Sequence, residues 1–263
     1  MKKIIIVTSN KGGIGKSTYA KLVLHTAISR GLPVMAADMD ARNPDIYFHM
    51  KYLGKGAISI QDYVPEFQGT SPYDPKSVDS FMVHLDKELR SGPENLVVVV
   101  NTASNGLDSL EPFRDVYFPA NGQYYDQETE VFGVYLRSPA DSEGYKMAMR
   151  VMGDLGKEHL ITVQPEHASA IQLDPDGGDQ KALVNQRVTQ VTSMRQFRPN
   201  IFMTQIAPDT ASFGLDIPAV RDMSWQIAYA WWSQHVADIV NLFGFTEPAS
   251  NDARKQAAVT EDA

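Results

Sequence analysis

The nine residues Asn10-Lys11-Gly12-Gly13-Ile14-Gly15-Lys16-Ser17-Thr18 constrain this chain more than any other stretch of it. They follow Ile4 to Thr8, a run dominated by β-branched residues with no polar alternation, which reads as a buried parallel strand. They lead into Lys16 to Arg30, where Tyr19, Ala20, Val23, Leu24, Ala27 and Ile28 repeat at helical spacing and Gly31 sits where a C-terminal cap belongs. A glycine-rich turn between a strand and a helix is built to hold phosphate. Glycines let the backbone curl so that successive N–H groups point at phosphate oxygens, and the helix N-terminus adds its positive dipole end. In that context Lys16 is placed to meet β- and γ-phosphates, and the Ser17 hydroxyl to coordinate magnesium. The plainer alternative is a turn that accepts a dinucleotide or a small anion.

Further along, Val34 to Ala37 reads as a second strand ending at Asp38, and Leu96 to Val100 as the most strand-like segment, expected at the centre of the sheet. Between them lies a mixed stretch punctuated by Gly54, Gly56 and Gly69 and by Pro65, Pro72 and Pro75. It holds one amphipathic helix, Val78 to Leu89, with Val78, Phe81, Met82, Leu85 and Leu89 on one face and Gly92-Pro93 as its stop. Val131 to Leu136, His159 to Val163 and Asn200 to Ile206 read as strands, and Ser142 to Leu155 and Met223 to Phe243 as helices. Strand and helix in alternation imply a doubly wound, mostly parallel α/β sheet. We expect one domain over 1–245 and a polar, disordered tail over 246–263.

Composition narrows the chemistry. The chain has 263 residues and no cysteine, which excludes disulfides, thiolate metal sites, iron–sulfur clusters and cysteine nucleophiles. The net charge of -8 argues against a surface that is basic all over, and no apolar run reaches the roughly 18 residues needed to span a bilayer. A cytoplasmic protein without membrane attachment is expected, since Ile4 to Val7 is short and runs into glycine and lysine without a cleavage site.

The strict phosphate-loop pattern wants glycine at position 10, where this chain has Asn10. The loop instead resembles the K-G-G-x-G-K-[ST] version of the ParA/MinD family of deviant Walker-A ATPases, and Lys11, Gly12, Gly13, Gly15, Lys16 and Ser17 match every fixed position of it. The resemblance implies a P-loop fold with ATP and magnesium as cofactors, and nucleotide contacts from Lys11, Gly12, Gly13, Ile14, Gly15, Lys16, Ser17 and Thr18. It also implies a homodimer closed around the nucleotide, with Lys11 reaching the phosphates of the partner subunit, a protein partner that stimulates hydrolysis, and DNA bound directly or through that partner.

Asp38 and Asp40 leave the second strand at the same sheet edge as the loop, so their carboxylates face a bound triphosphate. Asp40 is suited to polarise the attacking water and Asp38 to assist the magnesium. With Asn43 the segment is similar to the family's switch I. The alternative is that both aspartates cap a loop. After Val97 to Val100, where the family carries a magnesium-assisting aspartate, this chain has Asn101. An amide can still hydrogen-bond a metal-bound water but lacks the charge, so weaker magnesium binding and slow turnover are expected, and Asn101→Asp is expected to raise the rate. The contrary reading is that Asp40 and the phosphates supply enough charge. By position in the family, Gln164 and the segment around Pro208 fall near the base.

Other signals are weaker. Asp174, Asp176 and Asp179 lack the spacing of a calcium loop, the six histidines show no metal-binding pattern, and Trp231 and Trp232 read as packing. Lys181, Arg187, Arg195 and Arg198 form a basic stretch that reads as a solvated face or a phosphate contact. Three functions compete: a DNA-positioning or segregation ATPase, as in plasmid partition, stability or conjugation; a metabolic ATP-dependent ligase of the same fold; and a nucleotide-sensing scaffold with little hydrolysis. Lys11 favours the first and third.

Overall fold

The computed structural model describes residues 1–63, 75–104, 106–123, 128–137, 141–165, 190–194 and 223–246. Among the described residues seven strands form one sheet: β1 (Lys2–Thr8), β2 (Val34–Asp38), β3 (Gly56–Ser59), β4 (Val97–Asn101), β5 (Thr129–Leu136), β6 (Leu160–Pro165) and β7 (Gln190–Met194). Their order is β3-β2-β4-β1-β5-β6-β7, and every pairing is parallel. The doubly wound parallel α/β fold expected from the sequence is the fold observed. The apolar run of β4 lies between β2 and β1, and β1, which feeds the glycine loop, is the central strand.

Because side chains alternate across a strand, each interior strand supplies both faces of the sheet. Ile4, Ile6, Val98 and Val100 face one layer, with α3 (Pro75–Ser91), α4 (Gly106–Leu110) and α6 (Ser142–Met152). Ile5, Val7, Val97 and Val99 face the other, with α1 (Lys16–Ser29), α2 (Asp45–Tyr52) and α7 (Met223–Phe243). A short helix, α5 (Arg114–Tyr117), precedes β5. Helix α3 buries Val78, Phe81, Met82, Leu85 and Leu89, the face its periodicity marks out. Trp232 of α7 is buried, as a packing residue should be.

The structure adds five elements absent from the sequence reading: α2, β3, α4, α5 and β7. The expected strand over 200–206, Pro208, the acidic and basic residues between 174 and 198 apart from the 190–194 strand, and the tail beyond Thr246 lie outside the described residues. No described helix is long and apolar enough to cross a membrane.

Parallel pairing brings the candidate site together. Val7 and Asp38 are both in register with Asn101, and Thr8 pairs with Tyr135, so the ends of β1, β2, β4 and β5 share one edge of the sheet. Gln164 stands near the end of β6, two strands from β1.

Candidate functional site

The loop between β1 and α1 turns on glycine. Gly13 has φ +71° and Gly15 φ +103°, left-handed conformations that a Cβ opposes. A Cβ on Gly12 would stand 3.1 Å from the Ser104 hydroxyl, so the loop lies close against the segment after β4. Ile14 is buried and ties the loop into the core beside Tyr19 and Val23. The Ser9 hydroxyl accepts from the Lys11 N–H at 3.1 Å, which fixes the entry to the loop.

Helix α1 begins without compensation. Its N-cap is Gly15, no side chain caps it, and its first turn holds no acidic residue. The partial positive charge of its N-terminal amides is therefore unmet within the described residues, whereas α6 is capped by Asp141, whose Oδ1 accepts from Gly144 N–H at 2.8 Å. Lys16 adds a cation at the same end. It is buried, and its Nζ donates to the Lys11 carbonyl at 3.3 Å. Burial lowers its pKa, and the negative Asp40 across the site pushes it back up. Lys16 and Asp40 thus lie within electrostatic reach of each other, although one opens α1 and the other follows β2. The Lys11 side chain is exposed, and Ser17 and Thr18 of the first turn are half-buried.

The two aspartates behave differently. Asp40 is half-buried, and its Oδ1 accepts from Arg42 and Asn43 N–H, each at 3.1 Å, closing a turn. Asp38 is fully buried and accepts from four N–H donors: Asp40 and Asn101 Nδ2 on Oδ1, Ile46 and Tyr47 on Oδ2. Burial pushes its carboxyl up to about 7, against the pull of those hydrogen bonds toward the charged form. Both aspartates therefore do the capping that the alternative reading assigned to them, and they do so at the sheet edge that carries the phosphate loop.

Asn101 is buried at the end of β4 with its Oδ1 unpartnered. A buried acceptor without a donor suits a metal-bound water, and the residues here fit a magnesium ion that arrives with phosphates: Ser17 would ligate it and Asn101 would accept from its water shell. No cluster of three or more histidines, aspartates or glutamates able to hold a metal occurs among the described residues. Asp38 has both oxygens occupied by internal donors, so it stands behind such an ion and not on it.

Sequence reasoning missed two contributors. Ser104 lies against Gly12, and Tyr135 at the end of β5 donates to Asp141 Oδ2 at 2.8 Å while accepting from the Asn10 backbone, linking the loop to the cap of α6. Asp141 immediately before an amphipathic helix is a legible capping signal, but its bond to Tyr135 is not. Gln164 is half-buried at the same sheet edge.

A doubly wound parallel sheet whose central strand opens through a glycine loop onto an uncapped helix defines a P-loop NTPase fold. No family model and no curated protein matches the chain. Among solved structures it is similar to a ParA family ATPase from Chlorobium tepidum TLS, at 13% identity over 89% of this chain and 99% of that one, with a TM-score of 0.38. It is likewise similar to a putative plasmid partition protein from Borrelia burgdorferi B31 bound to AMPPNP, at 12% identity over 92% and 98%, TM-score 0.41. A nucleotide-binding protein in complex with ADP from Archaeoglobus fulgidus matches at 13% identity over 85% and 90%, TM-score 0.40. These likenesses are distant, and the fold assignment rests on strand order and loop geometry.

Proposed function

We propose that this protein is a slowly hydrolysing, magnesium-dependent ATPase that dimerises around ATP and acts in positioning or segregating DNA through a partner protein. The observation that carries the reading is the buried Lys16 at the uncapped start of α1, set in a glycine loop on the sheet edge that also carries Asp40. Backbone N–H groups from 11 to 18 and the Lys16 ammonium bind the phosphates, Asp40 holds the attacking water, and the ParA/MinD resemblance assigns Gln164 and the segment around Pro208 to the base. A magnesium ion arriving with the phosphates would be held by Ser17 and would supply positive charge against them. The exposed Lys11 side chain is available to a partner subunit, as the ParA/MinD resemblance implies.

In this reading residues 1–245 form one ATPase domain, 246–263 a polar tail, and the protein works in the cytoplasm. A nucleotide-sensing scaffold with little hydrolysis is the second reading, and Asn101 favours it because the amide carries no charge for the metal. Analytical ultracentrifugation decides the coupling to oligomeric state. Sedimentation with and without ATP and magnesium, each with and without DNA, is expected to give a monomer that becomes a dimer with ATP. A monomer under all four conditions would remove the dimer from the proposal.

A further inference from the structure

Tyr135 of β5 is in register with Thr8, the last residue of β1, which places it beside the entry to the glycine loop. The side chain is sealed from solvent, at 0% exposure, and its hydroxyl has a single proton, which goes to Asp141 Oδ2 at 2.8 Å. The same oxygen accepts from the Asn10 N–H, so the backbone that leads into the loop is held from another strand. Burial first, then Asp141, push the phenol well above its ordinary range, so the hydroxyl stays protonated and keeps donating. At the far end of the chain of contacts Asp141 caps α6, its Oδ1 accepting from Gly144 N–H at 2.8 Å. Gly144 belongs to the same arrangement. A Cβ there would collide with both carboxylate oxygens of Asp141, which accounts for a glycine in the first turn of α6 despite its poor helix propensity.

We propose that Tyr135 is a positioning residue for the phosphate loop and that, through Asp141, it makes the hold on the loop and the cap of α6 one cooperative unit. The physical link is polarisation. A hydroxyl that donates to a carboxylate accepts more strongly at its own oxygen, so Asp141 tightens the bond from Asn10 N–H without touching it. The ring itself is held by packing, 6.0 Å from the Tyr145 ring, over which the Arg137 guanidinium lies at 4.8 Å. Removing the hydroxyl therefore cuts the link and leaves the ring in place. A loop whose entry is already fixed loses less freedom when phosphates arrive, so Tyr135 favours their binding. By reciprocity, phosphates on the loop firm the start of α6, and whatever holds α6 there strengthens phosphate binding by the same factor. The effect on ATP affinity rests on the ATPase reading above; the coupling of loop to helix does not.

The test is residue-resolved amide hydrogen exchange on the full chain for the parent, Tyr135→Phe, Asp141→Ala and the double variant, followed by ATP titration of the same four proteins. Without nucleotide, Tyr135→Phe is expected to speed exchange at Asn10 by about 10-fold, and to speed it at Gly144 although Asp141 still caps that amide. Asp141→Ala is expected to speed exchange at Asn10, an amide that its side chain does not touch, and to add nothing there once Tyr135 is phenylalanine. In the titration, Tyr135→Phe is expected to bind ATP on the order of 10-fold more weakly, and ATP to slow exchange at Gly144 in the parent but not in Tyr135→Phe. Parental exchange at Asn10 in Asp141→Ala, parental exchange at Gly144 in Tyr135→Phe, or additive effects at Asn10 in the double variant would each overturn the coupling. Equal ATP affinity in the parent and Tyr135→Phe would overturn the positioning role. If Tyr135→Phe does not fold, Asp141→Ala read at Asn10 decides the coupling by itself. Absence of ATP binding by the parent, with the exchange pattern intact, would count against the ATPase reading and leave the coupling standing.

Discussion

The Lys16 ammonium donates to the Lys11 backbone carbonyl across 3.3 Å, so the cation of the loop is held by main chain, and the Lys11 side chain is left exposed for another task. Replacing that side chain does not touch the carbonyl. Lys11→Ala is therefore expected to bind ATP as a monomer and to sediment as a monomer at every ATP concentration, whereas the parent is expected to dimerise with ATP. Dimerisation of Lys11→Ala at the parental ATP concentration would show that the side chain does not bridge subunits.

Asp40 sits near enough to Lys16 to raise its pKa, yet its own hydrogen bonds are to the turn at Arg42 and Asn43. If its second oxygen serves the attacking water, Asp40→Ala retains ATP binding and loses hydrolysis by roughly 10²- to 10⁴-fold. Single-turnover measurement separates the two effects. Hydrolysis at the parental rate would confine Asp40 to the turn.

A buried histidine pair ties α1 to α2: His25 and His49 approach through their Nε2 atoms at 2.7 Å. Burial first, then the charges of His25 and Lys21, hold His49 down to about 3. Unfolded, it titrates near 6.5, so between those values the unfolded chain binds more protons and stability rises with pH. The contribution is present above about 6.5 and is lost as pH falls toward 3. Asp38 has the opposite sign, because its carboxyl is pushed up to about 7; its contribution is present below its unfolded pKa and lost as pH rises through 7. His49→Gln removes the first slope and leaves the second. Between pH 6.5 and 4.5 the parent is expected to lose stability relative to His49→Gln by up to about 1.4 kcal/mol per pH unit. Parallel stability curves for the two proteins would contradict a neutral buried His49.

Much of this was legible in the chain itself. The runs Ile4 to Val7 and Val97 to Val100 have no polar alternation because both faces of the sheet are covered, and α3 shows its phase because one face meets solvent. Helix α2 was illegible: it has eight residues, begins after Pro44, and leaves Phe48 and Tyr52 exposed, so its apolar pattern is blurred. Strand β3 is four residues long and opens with Gly56, a residue that ordinarily argues for a loop. The glycine loop was readable as a local pattern, and its torsion angles agree. What Asp38 does was not readable, because its partner Asn101 is 63 positions away and becomes a neighbour only when β4 inserts beside β2.

Direct titration of ATP, with magnesium, into the parent protein and into Lys16→Ala tests the phosphate site most directly. Lys16 is the buried cation of the loop, and on the proposed reading its removal takes away a charge-assisted contact to the phosphates. The parent is expected to bind ATP, and Lys16→Ala to bind it on the order of 100-fold more weakly with an unchanged Tm. Equal ATP affinity in the two proteins, or no binding by the parent at millimolar ATP, would contradict a nucleotide site at this loop.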